Sequence, residues 1–197
     1  MERTRFMYIA LRDLTPPPND LPVVHFAPEM AILEFLSAKY PKTYRAADFA
    51  PAEYAWVKQP MQQVDLSRPL DFFAPNSVQG FVHAHVFEHV PGDLHRIVKQ
   101  MNMALAPGGF HTFCIPFFSD WYREDMNLAM PHDERDRLFG QYDHVRSFGT
   151  RDTEERLLSL FEDFERIDMT KAYSPAQLAA AATSLTSHTV FHFVKKK

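Results

Sequence analysis

The sequence predicts an α/β domain, a mostly parallel sheet with helices on both faces. Two observations carry that expectation. Apolar runs of strand length alternate with segments whose apolar residues recur at helical spacing. Residues 71–109 also read as a β-α-β unit, with His85, Glu88 and His89 at the carboxyl end of its first strand. Open α/β sheets bind ligands at that edge. The 197 residues are enough for one domain with a real core.

Each element follows from local pattern. Phe6, Ile9, Ala10 and Leu14 give residues 1–14 a helical stripe, and T-P-P-P-N-D (15–20) breaks it, so 1–20 reads as an N-terminal helix and linker ahead of a domain over 21–197. Leu21 to Phe26 is the first strand. Ala27-Pro28-Glu29 opens a helix whose apolar face is Leu33, Leu36 and Tyr40, with Pro28 in the first helical position and Glu29 at the positive end of the dipole. Thr43 to Ala47 and Gln62 to Val64 are weaker strands, ending at Asp48 and Asp65. Val78 to Ala84 is the fourth strand. Asp93 to Leu105 is the best helix, with Leu94, Ile97, Val98, Met101 and Leu105 on one stripe and Pro107-Gly108-Gly109 as its stop. Phe110 to Ile115 is the fifth strand. Residues 116–149 form a long lid-like insertion. Asp152, with Glu155 as capping partner, starts another helix. A strand at Phe164 to Met169, an Ala-rich helix over 174–185 and a last strand from Thr189 to Val194 complete the reading.

Composition narrows the function. A net charge of -4 and one basic run, Lys195 to Lys197, argue against nucleic acid as a partner. The single cysteine, Cys114, excludes an internal disulfide and a Cys-based zinc site. No apolar run approaches the ~20 residues of a membrane span. Without a signal-peptide pattern at the N-terminus, the cytoplasm is the expected compartment. The 18 phenylalanines include enough for both a core and an apolar substrate pocket.

Four constellations could carry chemistry. Asp48 falls 22 positions (48 − 26) after the end of the first strand, where nucleoside-binding folds place an acid on the ribose hydroxyls. Asp65-Leu66 offers an acceptor for an exocyclic amine beside an apolar surface. In H-A-H-V-F-E-H (83–89), His83 and His85 would share a strand face, and His85 or His89 could serve as a general base. A metal reading is weaker, because the acid stands one place later than in the H-x-H-x-D-H pattern of dinuclear hydrolases, and no metal site is assigned. In F-G-Q-Y-D-H-V-R-S-F-G (139–149), Asp143, His144 and Arg146 could close over a substrate, with Gly140 and Gly149 as hinges.

Together V-V-H-F-A-P-E, H-V-F-E-H-V-P, L-A-P-G-G-F and E-R-D-R-L-F-G-Q-Y-D-H-V-R-S-F-G resemble the motifs of a bacterial branch of the class I S-adenosylmethionine-dependent methyltransferases, over about residues 21–169. The resemblance implies a Rossmann-like, seven-stranded sheet with an antiparallel last strand. It implies S-adenosylmethionine as cofactor, with Phe26, Ala27, Pro28 and Glu29 as the first-motif loop. Asp48 would be the ribose carboxylate, Asp65 with Leu66 the adenine side, and His85 would lie near the methionine end. It departs from most class I enzymes in having no glycine between Met1 and Gly80. Related chains also carry a Cys-rich zinc ribbon before a segment resembling Glu2-Arg3-Thr4-Arg5, where this chain starts; a short member is the expectation.

Methyl transfer to a small molecule or saccharide is the leading expectation. His89, then His144, then His85 are the candidate catalytic groups, and Glu88, Asp143 and Arg146 the candidate substrate contacts. A non-catalytic methyltransferase-like binding subunit is the first alternative. A metal-dependent hydrolase using His83, His85 and His89 is the second. The acceptor and the oligomeric state, a homodimer included, stay open.

Overall fold

The computed structural model describes residues 2–127, 129–180 and 190–197. Helix α1 (Glu2–Asp13) leads through the proline segment to strand β1 (Val23–Phe26), helix α2 (Met30–Lys39) and strands β2 (Tyr44–Asp48) and β3 (Met61–Gln63). Strand β4 (Val78–Ala84), helix α3 (Leu94–Ala104) and strand β5 (Leu105–Cys114) form the central β-α-β unit. The insertion holds β6 (Phe117–Ser119), β7 (Arg123–Glu124), α4 (His132–Phe139) and β8 (Arg146–Gly149). Helix α5 (Thr153–Arg156), β9 (Phe164–Arg166), α6 (Met169–Ala172), α7 (Pro175–Ala180) and β10 (Phe191–Lys195) follow.

Seven strands make one sheet in the order β3-β2-β1-β4-β5-β10-β9. Strand β10 runs antiparallel to both of its neighbours, and the pairings from β3 to β5 are parallel. Each face of the sheet carries its own apolar cluster. On one, the α3 stripe of Leu94, Ile97, Val98 and Met101 packs with Phe81, Phe113 and Phe193. On the other, Phe6, Met7 and Leu11 of α1 and Ile32 and Leu36 of α2 pack with Val82 and Phe110. This is the two-sided burial that a parallel sheet requires.

Several local expectations are corrected. The chain turns after β1 before α2 begins, so Glu29 is the N-cap and Pro28 lies outside the helix. Asp93 caps α3, its Oδ1 accepting from the backbone of His95 and Arg96. The helix ends at Ala104, before Pro107-Gly108-Gly109, which lies within β5 as a bulge between the pairs Val78–Leu105 and Gly80–Phe110. A Cβ on Gly109 would meet the carbonyl oxygens of Ala106 and Gln79 at 2.8 and 2.9 Å, so the bulge needs glycine there. Asp152 stands at the N-cap of α5 as expected, but its side chain makes no capping hydrogen bond. Its carboxylate accepts from the backbone N–H of Tyr122 at 2.9 and 3.0 Å, tying α5 to the insertion. Residues 181–185 of the expected Ala-rich helix and Thr189 of the expected last strand lie outside the described residues.

The insertion is folded rather than irregular. Its strands form a small sheet in the order β6-β8-β7, with α4 alongside. The expected hinges are packed positions. Gly140 is the left-handed C-cap of α4, at φ 87°, and Gly149 sits against the Trp121 backbone.

Candidate functional site

Three strands end flush at the point where the chain order reverses. Phe26 of β1 is in register with Ala47 of β2 and His83 of β4. The chain then leaves β1 through Ala27 at φ 47° and β4 through His85 at φ 55°. A left-handed conformation costs a residue with a Cβ about 1–2 kcal/mol. Two such residues at adjacent strand ends mark a place where the backbone path is dictated by more than local preference. Ala27 thus makes the sharp turn that a glycine would make most easily.

A cavity of about 500 Å³ opens above this edge. Asp48 and Asp65 both line it, with Phe26, Ala27 and Leu66. Each carboxylate is held by the turn that follows it. Asp48 Oδ1 accepts from the Ala50 backbone N–H at 2.8 Å, and Asp65 Oδ1 from that of Ser67 at 2.9 Å. Burial works to raise the Asp65 carboxyl, but the Ser67 hydrogen bonds and the Arg68 guanidinium 3.3 Å away together hold it below its ordinary value. Sequence reasoning missed Tyr54 and Phe49. Burial, then the Asp48 carboxylate beside it, pushes the Tyr54 phenol well above its usual range, so it stays a neutral donor toward Asp48. Phe49 is 67% exposed at the cavity wall. An aromatic directly after the strand-end acid was the available signal.

A second crevice, of about 360 Å³, lies between the loop after β4 and the insertion. His85 and His89 line both spaces. Glu88 is fully buried here, and neither of its carboxylate oxygens has a hydrogen-bond partner among the described residues. His85 Nδ1 stands 3.3 Å from Glu88 Oε1. His144 Nδ1 donates to the Phe139 carbonyl at 2.9 Å, and His89 Nδ1 lies 3.2 Å from Asp143 Oδ2. The His89 and His144 rings meet edge-to-face, with centroids 4.6 Å apart.

Arg146 is not a lid cation. It is fully buried, and its guanidinium donates to the carbonyls of Phe87, Val90 and Gly92 at 2.6, 2.7 and 2.6 Å. With the Val145 N–H donating to the Glu88 carbonyl, it clamps the β4 loop to the insertion. Of the other expected residues, Pro28 is buried and lies outside the cavity lining. Glu29 also lies outside it and accepts from the Thr4 hydroxyl at 2.9 Å, facing α1. His83 does not share a face with His85. It is fully buried between Phe87 and Phe113, with Nε2 3.0 Å from His111 Nε2. The set His83, His85 and His89 is therefore not assembled, which removes the hydrolase alternative in that form. Among the described residues, no helix is long and apolar enough to cross a membrane.

No family model matches the chain, and no curated protein matches it. Solved structures do. An S-adenosylmethionine-dependent methyltransferase from Mesorhizobium loti superposes with a TM-score of 0.57 at 15% identity, covering 96% of this chain and 98% of that one. One from Archaeoglobus fulgidus gives 0.58 at 11% identity, covering 99% and 94%. The Haemonchus contortus phosphoethanolamine N-methyltransferase 2, solved with S-adenosylhomocysteine, gives 0.57 at 13% identity, covering 97% of this chain and 52% of that one. The seven-stranded architecture, its antiparallel β10 and its two helical layers are thus the Rossmann-like fold of S-adenosylmethionine-dependent methyltransferases.

Proposed function

We propose that the chain transfers a methyl group from S-adenosylmethionine to a small-molecule or saccharide acceptor. One observation carries the reading: Asp48 and Asp65, from the ends of different strands, converge on one cavity at the sheet's switch point. The residues present fit an adenosyl group. Asp48 would accept from the ribose hydroxyls, Asp65 from the exocyclic amine, and Leu66 and Phe49 would pack against the base. The turn at Ala27 brings backbone close without a glycine. When bound, the cofactor supplies an electrophilic methyl on sulfur, so the protein's part is orientation and exclusion of water.

The acceptor belongs on the far side of His85 and His89, in the crevice under the insertion. His89, His144 and His85 are the groups placed to act on it, with Glu88 and Asp143 orienting them. Arg146 acts through the loop it holds.

Titration calorimetry with S-adenosylhomocysteine tests the reading. Binding is expected, weakened about tenfold or more in Asp48→Ala, equal to about 1.4 kcal/mol. Absence of heat at about 1 mM ligand, where even an affinity of about 4 kcal/mol would register, would favour the non-catalytic binding subunit.

A further inference from the structure

We propose that Glu88, His89 and His144 hold a divalent transition-metal ion, of the class of zinc, between the β4 loop and the insertion. One ligand atom from each of these three side chains lies within 4.8 Å of the other two. Around a bound zinc ion, ligand atoms at 2.0–2.2 Å stand about 3.4 Å apart, so modest side-chain rotation closes the set. Two imidazoles and one carboxylate form a nitrogen and oxygen donor set suited to zinc, iron or manganese rather than to magnesium or calcium.

Three further observations point to a cation. Glu88 is fully buried, and neither oxygen has a hydrogen-bond partner among the described residues. Its one ion-pair neighbour among the described residues is His85, with Nδ1 3.3 Å from Oε1, and buried carboxylates are found paired with a cation or coordinating a metal. The Phe139 carbonyl fixes the proton of His144 on Nδ1, and Asp143 stands against Nδ1 of His89, which leaves Nε2 of each ring as the lone-pair donor. A carboxylate or carbonyl behind each imidazole is the arrangement that orients histidine toward metals. The crevice also leaves room, about 360 Å³, for an outer ligand.

Glu88 and His144 line only the crevice, while His89 lines both spaces and Asp143 borders the cofactor cavity. Its use rests on the methyl-transfer reading: with His89 and His144 as ligands the base at the acceptor is His85, and two neutral imidazoles and one carboxylate leave a divalent ion with net positive charge. It would bind an acceptor through an oxygen donor such as a hydroxyl, phosphate or carboxylate, beside His85 and His89 where the two spaces meet.

The test is zinc binding by chelator-stripped protein, measured by competition with a chromophoric chelator, alongside cobalt substitution read by visible absorption. One equivalent is expected. Asp143→Ala should weaken zinc about 10–100-fold, and Glu88→Gln and His144→Asn by at least as much. S-adenosylhomocysteine binding by the same variants reports that they are folded, and zinc binding by Asp48→Ala keeps the two readings separate. A stoichiometry near zero, or unchanged zinc affinity in Glu88→Gln and His144→Asn variants that still bind S-adenosylhomocysteine, overturns the proposal. If a variant loses both ligands, the cobalt spectrum of the unsubstituted protein decides. Nitrogen-and-oxygen coordination supports the site, and a spectrum of hydrated cobalt overturns it.

Discussion

His83 and His85 stand two residues apart and belong to different regions of the molecule. His83 is sealed into an aromatic layer with Phe87, Phe113 and His111, while His85 forms part of the wall between two cavities. The same contrast separates His25, His111 and His192, all buried in the sheet, from His89 and His144, which face the crevice under the insertion. Burial holds His25 and His111 neutral, with pKa values pushed down to about 3, and His192 to about 4. What separates the two sets is the point at which the chain leaves the strand. Alternation governs side-chain direction as far as Ala84, and the left-handed turn at His85 then sends the following residues toward the edge.

The largest effect expected at the border between these regions is that of Arg146→Met. Loss of three charge-assisted bonds to main-chain carbonyls, two of them buried, should cost about 4 kcal/mol in urea unfolding, with faster amide exchange across 87–92. A loss below about 1 kcal/mol would mean that the loop and the insertion hold together without it.

The inner histidines should make stability fall in mild acid. His192 has its folded pKa below the unfolded value near 6.5, so the unfolded chain binds the extra proton between the two. Its full contribution is present above pH 6.5 and is lost as pH falls toward 4. Between pH 7 and pH 5, His192→Gln should lose about 2 kcal/mol less stability than the unsubstituted protein. Equal losses would show that His192 takes up its proton in the fold.

Exchanging roles sharpens the contrast. His83→Leu leaves His111 without its partner and should cost about 2 kcal/mol while S-adenosylhomocysteine affinity stays unchanged. His89→Leu should move stability by less than about 0.5 kcal/mol and act on the acceptor side instead. The reverse pattern would erase the division between the two sets. The smallest effect belongs to Ala27→Gly, expected to raise stability by up to about 1 kcal/mol through relief of the left-handed turn. Any loss there would show that the methyl group packs usefully.

Much of the frame was legible in the sequence because it is written locally. The strand Val78–Ala84 and the α3 stripe follow from residues that are neighbours in sequence or one turn apart. The placement of Asp48 and Asp65 was legible for a related reason: Asp48 closes β2, Asp65 lies two residues past β3, and strand ends meet at one edge. Arg146, Glu29 and Asp152 were misjudged because their partners are remote. Arg146 reaches back 56 residues to Val90, and Asp152 reaches 30 to Tyr122. No periodicity reports such pairings. Pro107-Gly108-Gly109 misled in another way, since the same residues that stop a helix also permit a bulge.

The clamp at Val145 and Arg146 has a consequence for how this protein could be altered. Its bonds run to main-chain carbonyls, which every sequence possesses. Loops of other composition after β4 could therefore be gripped in the same way. On the methyl-transfer proposal, substrate range could be redesigned by exchanging the 116–149 cassette around these two residues, while the half that carries Asp48 and Asp65 is left as it stands.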